Sequence, residues 1–199
     1  VVAASPIRIA VSGTHSTGKT TLLKRLEMEV RAQGFTVART HGSLAKKAAE
    51  LGFPKMRDQT ATTTQWLIAA GMCAELEATL TADVVLVDRS AFDPLAYFLA
   101  GLQQRQEHLD DANRDLLTSL VATHSAGYTL LLATALDPTV PLGNHRDRDL
   151  NFRTSVDQHL HQLLATTGTP HLVVANTDAC HDQARTAVLA AARNLTAAA

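Results

Sequence analysis

Aromatic side chains are scarce: one Trp, two Tyr and five Phe among 199 residues, 4% of the chain. A core must therefore come from Ala, Leu, Val and Thr, and few rings are available to stack a base. Hydrophobic residues still make up 46% of the chain, enough for one domain of ordinary size. Cysteine is rarer still. Cys73 and Cys180 stand alone and form neither a disulfide framework nor a zinc-ligand spacing, so the chain reads as a reduced, cytoplasmic protein. Neither sign of charge dominates. Eighteen Lys and Arg face 19 Asp and Glu, a formal charge of −1. That lacks the basic footprint of bulk nucleic-acid binding, though it leaves room for a local basic pocket. No apolar run approaches the ~20 residues of a membrane span. The start, Val1-Val2-Ala3-Ala4-Ser5-Pro6-Ile7-Arg8, has no charged region ahead of an apolar stretch; its missing initiator Met is expected to reflect processing or trimming.

What is present is an alternation of short β-branched runs with longer amphipathic segments. Strands are expected at 7–11, 35–38, 84–87, 128–133 and 171–175. Helices are expected at 18–33, across 43–81 with a break at Gly52-Phe53-Pro54, from Pro94 to about Gly101, at 108–126, up to Thr167, and over the Ala-rich C-terminus. Ser90 and Asp93 are placed as a capping pair ahead of Pro94. Residues 137–150, rich in Pro, Gly, Asn and Asp, read as a loop. This alternation implies one α/β domain over 1–199, a parallel sheet with helices on both faces. Ligands of such sheets bind past the carboxyl ends of the strands.

The most informative pattern is Gly13-Thr14-His15-Ser16-Thr17-Gly18-Lys19-Thr20, which fits G-x-x-x-x-G-K-[ST] directly after the first strand and at the start of a helix. Glycines let backbone N–H groups curl around phosphate oxygens, and the helix N-terminus adds positive potential. Residues 13–21 (Gly13, Thr14, His15, Ser16, Thr17, Gly18, Lys19, Thr20 and Thr21) are the expected phosphate cradle; the His15 side chain, at a position the motif leaves free, receives no role. Lys19 is set to reach the β- and γ-phosphates, and the Thr20 hydroxyl to ligate Mg²⁺.

Asp88 ends the apolar strand Val84–Val87, a place to hold Mg²⁺ or to take a proton. Arg89 pairs with phosphate, or with a carboxylate such as Asp93 or Glu75. Arg146, Arg148 and Arg153 crowd a short stretch. They make sense closing over phosphates as a lid at about 138–153, although Asp147 and Asp149 can neutralise them locally. His41 follows the second strand, where a base or an exposed polar residue fits equally. Asp93, Tyr97, Gln65 and Trp66 are candidates for an acceptor pocket; Trp66, on a helical face with Leu67, Ala70 and Cys73, stacks a base or packs in the core. Ala175-Asn176-Thr177-Asp178 lacks the Lys of a guanine motif, which counts against a GTPase.

The cradle, the phrase Asp88-Arg89-Ser90-Ala91-Phe92-Asp93-Pro94-Leu95-Ala96-Tyr97 and the arginine segment 144–153 together resemble the P-loop kinase-like ATP-binding proteins of the NadR-like AAA domain and thymidylate-kinase neighbourhood. Asp88, Arg89, Asp93, Ala96 and Tyr97 stand at the positions of the family's D-R-x-x-x-D-x-x-A-Y phrase, and Asn144 and Arg146 at those of its lid phrase. The resemblance implies a five-stranded parallel sheet of order 2-3-1-4-5, with ATP and Mg²⁺ as cofactors. It also implies phosphoryl transfer to a hydroxyl or phosphate of a nucleoside, nucleotide or small metabolite. Lys19, Asp88, Arg146 and His41 would then be catalytic. Gln65, Trp66, Arg89, Asp93, Tyr97 and Arg153 would bind substrate. The chain departs from the family after the second strand, where His41 and Leu44 replace an expected Glu and Arg, so the base is either Asp88 or His41. The alternative is an NTP-hydrolysing switch or regulator without a small-molecule acceptor. Expected partners are a small-molecule acceptor, without membrane or nucleic acid; a homodimer is compatible with the sequence.

Overall fold

The computed structural model describes residues 5–40, 44–140 and 149–197. His41, Asn144, Arg146 and Arg148 lie outside the described residues. The strands are β1 (Ile7–Ser12), β2 (Val37–Arg39), β3 (Val84–Asp88), β4 (Leu130–Thr134) and β5 (Leu172–Val174). They form one parallel sheet of order β2-β3-β1-β4-β5. The helices are α1 (Lys19–Ala32), α2 (Leu44–Glu50), α3 (Ala61–Ala78), α4 (Phe92–Arg105), α5 (Asp111–Ser125), α6 (Leu150–Thr166) and α7 (Asp178–Ala197), with a 3-10 turn at Met56–Asp58.

Side-chain alternation along the strands divides the core in two. Ile9, Val11, Val84, Leu86, Leu132 and Val174 face Leu22, Leu23, Leu26, Val30 and Val188, so α1 and α7 cover one side. Ala10, Val85, Val87, Leu131 and Ala133 face the other side, where Ile68, Phe92, Leu117 and Phe152 bring in α3 to α6. Burial on both sides explains the uninterrupted apolar run Val84–Val87. Each fully buried Leu or Val contributes about 1.5–3 kcal/mol.

Side-chain caps set three helix starts: Thr60 accepts the Thr63 amide, Asp110 that of Asn113 and Asp149 that of Phe152. The Asp110 cap places the start of α5 at Asp111, later than the expected 108. Strand β2 begins at Val37, not Phe35. Gly101 does not end its helix, which continues to Arg105. A Cβ there would stand 2.8 Å from the Arg57 carbonyl oxygen, so this glycine serves a close approach between α4 and the 3-10 turn. Among the described residues, no helix is long and apolar enough to cross a membrane.

Candidate functional site

Residues 13–18 turn between β1 and α1. Gly13 has φ +148°, and a Cβ on it would lie 1.9 Å from Thr134 Oγ1; only glycine fits this close approach to the end of β4. Gly18 caps α1 in the left-handed conformation, φ 81°, a shape glycine adopts without strain. Lys19 folds back over the loop, donating to the Thr14 carbonyl and, at 3.3 Å, to Thr17 Oγ1. Thr17 Oγ1 also meets Thr134 Oγ1 at 2.6 Å. The Thr14 hydroxyl is buried without a hydrogen-bond partner. These features make a concave ring of backbone around an ammonium group at a helix N-terminus, suited to an oligophosphate.

The ring is braced from behind. Asp93 Oδ1 accepts the Gly13 amide hydrogen at 3.1 Å, and Ser12 Oγ donates to Ser90 Oγ at 2.5 Å. The Tyr97 hydroxyl oxygen accepts the His15 amide hydrogen at 2.9 Å. The expected Ser90–Asp93 cap is not what starts α4, whose cap position is Ala91 with no side-chain cap bond; the two side chains meet instead behind the ring, Ser90 Oγ donating to Asp93 Oδ2 at 3.3 Å and accepting from Phe92 N at 3.2 Å. Burial pushes the Asp93 carboxyl above the usual carboxylate range, against the pull of Arg89, Lys19 and the Gly13 amide. Arg89 lies 3.5 Å from Asp93 Oδ1 and over the Tyr97 ring at 5.3 Å. Burial opposes its charge, but Tyr97, Asp93 and Asp88 outweigh that cost and raise its pKa above the ordinary value. Of the two partners open to Arg89 in the sequence, the structure shows the carboxylate of Asp93.

Asp88 pairs in register with Val11, at the mouth of the ring. Its Oδ2 accepts from Arg39 Nη2 at 2.9 Å, and its amide donates to Thr40 Oγ1 at 3.0 Å. Sequence reasoning missed Arg39, a lone cation at the end of the short strand beside Asp88. It also missed a second buried network. There, Glu75 Oε2 meets His124 Nε2 at 2.7 Å and Arg8 Nη1 at 3.3 Å, and Glu75 Oε1 accepts from the Tyr128 hydroxyl at 3.1 Å. Burial, then the Glu75 charge, raise the Tyr128 pKa well above the usual value. The available sign was Glu75 itself, an acid on the inward stripe of α3.

A cavity of about 660 Å³ opens against the ring. Its walls come from α2, the 3-10 turn, α3, the end of β3 and the first turns of α4; Asp88, Arg89, Asp93, Tyr97, Gln59 and Glu75 are among the lining residues. Helical register decides which part of α3 reaches it. Thr63, Leu67, Ile68, Gly71 and Glu75 line the space, whereas Gln65 is exposed to solvent and Trp66 packs on Phe53 with ring centroids 5.4 Å apart. Neither Gln65 nor Trp66 belongs to the cavity wall. Arg153 is not in that wall either: it is 2% exposed in the first turn of α6, with Nε and Nη2 making no hydrogen bond. Thr20 and Thr21 sit exposed in the first turn of α1.

Among the described residues no group of three or more His, Cys, Asp or Glu is placed to hold a metal. The Thr20 hydroxyl and the Asp88 carboxylate, on neighbouring elements, nevertheless fit the sparse oxygen set of a protein-bound Mg²⁺.

The fold has clear counterparts. A crystal structure of NadR protein in complex with NAD and AMP-PNP superposes with a TM-score of 0.66 at 18% identity, covering 94% of this chain and 50% of that one. A crystal structure of NadR protein in complex with NR gives 0.70 at 16% identity, covering 94% and 52%. This chain thus spans about half the length of those NadR chains. No curated protein matches the sequence at a significant level. The AAA domain family model AAA_28 matches residues 8–181, which takes in the ring, Asp88, the cavity and the braces behind them, and on that match the chain belongs to the AAA domain family AAA_28.

Proposed function

We propose that this protein is an ATP- and Mg²⁺-dependent small-molecule kinase. Its acceptor is a nucleoside, a nucleotide or another small metabolite. In this proposal residues 1–199 act as one cytoplasmic domain, and the segment at about 138–153, with Arg146 and Arg148, covers the phosphates. The observation that carries the reading is the cavity. A hydrolytic switch needs only the phosphate ring and a water. Here a space of about 660 Å³, within the roughly 300–1,000 Å³ of small-ligand sites, abuts that ring and shares Asp88 with it.

The backbone amides of residues 14 and 16–20 donate to phosphate oxygens, those of Gly13 and His15 being held by Asp93 and Tyr97. Lys19, now turned onto Thr14 and Thr17, exchanges those contacts for β- and γ-phosphate oxygens, which a charged donor binds more strongly. Thr20 and Asp88 would hold Mg²⁺, which would supply neutralisation of charge on the phosphates. The acceptor oxygen, presented from the cavity, forms a bond to the γ-phosphorus as the bond to the β,γ-bridging oxygen breaks. ADP leaves, and the acceptor proton passes to Asp88 or to His41. Asp93 and Tyr97 serve by fixing the ring they brace.

NR and NAD are ligands named with the NadR structures, so nicotinamide riboside belongs in the first acceptor panel, with other nucleosides, nucleotides and small alcohols. Slow ADP release from Mg-ATP alone, strongly accelerated by one panel member, is the expected result. Hydrolysis as fast without any acceptor would favour the switch.

A further inference from the structure

We propose that Arg57 is a positioning residue that couples the acceptor cavity to the phosphate ring through the first turn of α6; this rests on the kinase reading above.

The 3-10 turn carrying Arg57 is held tightly. Met56, which lines the cavity, has φ 46°, a left-handed conformation that costs a non-glycine residue free energy unless its surroundings fix it. Its neighbours do so. Gln59 Nε2 donates to Thr64 Oγ1 at 2.7 Å and to the Pro94 carbonyl at 2.8 Å, and Gly101 leaves room for the Arg57 carbonyl.

From this turn Arg57 reaches α6. Its Nη2 donates to Asp149 Oδ2 at 3.1 Å, and its guanidinium lies 4.8 Å from the Phe152 ring centroid. Asp149 is the cap of α6. Phe152 meets Tyr97 edge-on at 6.1 Å, and the Tyr97 hydroxyl holds the His15 amide of the ring. An unbroken set of contacts therefore runs from the cavity wall at Met56 to the phosphate ring at His15.

The partly exposed Arg57–Asp149 pair, at 34% and 31% side-chain exposure, contributes little to stability. Its consequence is geometric. One residue beyond Phe152, Arg153 is buried with two N–H groups that make no hydrogen bond, a costly state that leaves this turn sensitive to small shifts. A shift of the ring at His15 acts through Tyr97 and Phe152 on the turn that Asp149 caps, and Arg57 passes it to Met56. By thermodynamic reciprocity, filling the cavity biases the ring equally.

The test is hydrogen exchange on the whole chain, with and without Mg-AMP-PNP, followed at residues 13–22, 55–60 and 149–156. The wild type should gain protection in all three. Arg57→Gln should keep the gain at 13–22 and lose it at 55–60. Asp149→Asn, which retains a capping oxygen for Phe152 while losing the ion pair, should do the same without a large change in Tm. Retention of the gain at 55–60 in both variants would overturn the role of Arg57. A wild type that gains protection at 13–22 but not at 55–60 would overturn the coupling. No gain at 13–22 in the wild type would overturn the nucleotide reading on which the coupling rests.

Discussion

Arg39 and Asp88 face each other at the carboxyl ends of β2 and β3, Nη2 to Oδ2 at 2.9 Å, with only 16% and 12% of their side chains exposed. The guanidinium fixes the carboxylate that borders both ring and cavity. Arg39→Gln should preserve the fold and reduce kcat by about 10- to 100-fold, since a misplaced group of about 1 Å costs that much. Asp88→Asn should cost about 10²- to 10⁴-fold. Steady-state kinetics on both variants checks this, and an unchanged kcat in Asp88→Asn would remove that residue from the chemistry.

Lys19→Ala should abolish turnover while leaving the circular dichroism spectrum intact, because the ammonium donates to loop groups, the Thr14 carbonyl and Thr17 Oγ1. Gly13→Ala should abolish Mg-AMP-PNP binding, since the new methyl group would displace Thr134 from the ring. Calorimetric titration separates binding from turnover in the two variants.

Tyr97→Phe keeps the ring that Phe152 and Arg89 touch and removes the oxygen that accepts the His15 amide hydrogen and meets His15 Nδ1 at 3.1 Å. A lost hydrogen bond of about 1 kcal/mol corresponds to about a fivefold weaker affinity for Mg-AMP-PNP. Asp93→Ala should be far more damaging, at about 3 kcal/mol of stability, because it strands the buried Gly13 amide and Ser90 hydroxyl and leaves the half-buried Arg89 without its carboxylate. Chemical denaturation and the same titration measure both effects.

Hydrogen bonds from the Thr36 side chain and backbone hold Asp83 below the usual carboxylate range. The Phe152 amide, and to a lesser degree Arg57, do the same for Asp149. A depressed folded-state pKa gives stability that is present above the unfolded value of about 3.9 and is lost as pH falls through the folded value. Tm should therefore drop below about pH 4. Asp83→Asn should lower Tm at neutral pH and flatten that acid limb, as thermal melts across pH will show.

The ring was legible in the sequence because Gly13 to Thr20 are contiguous and the local backbone does the work. The strands were legible because both sheet faces are buried, so runs such as Val84–Val87 carry no polar interruption. The strand order came with the family resemblance. Contacts across long sequence separations were not legible: Arg39 with Asp88, Arg8 and His124 with Glu75, Arg57 with Asp149. Each joins residues that only the sheet order and helix packing bring together. Gln65 and Trp66 show the same limit on a smaller scale. They lie one to two residues from Leu67 on α3, and the rotation of that helix against β3 puts Leu67 in the cavity wall and the other two outside it.

The fate of the γ-phosphoryl group tests the central claim most directly. With γ-labelled ATP and the accelerating acceptor, the label should appear on that acceptor in one-to-one proportion with ADP, and Lys19→Ala should form neither product. Label recovered as inorganic phosphate at the same rate with every acceptor, and with none, would contradict the account.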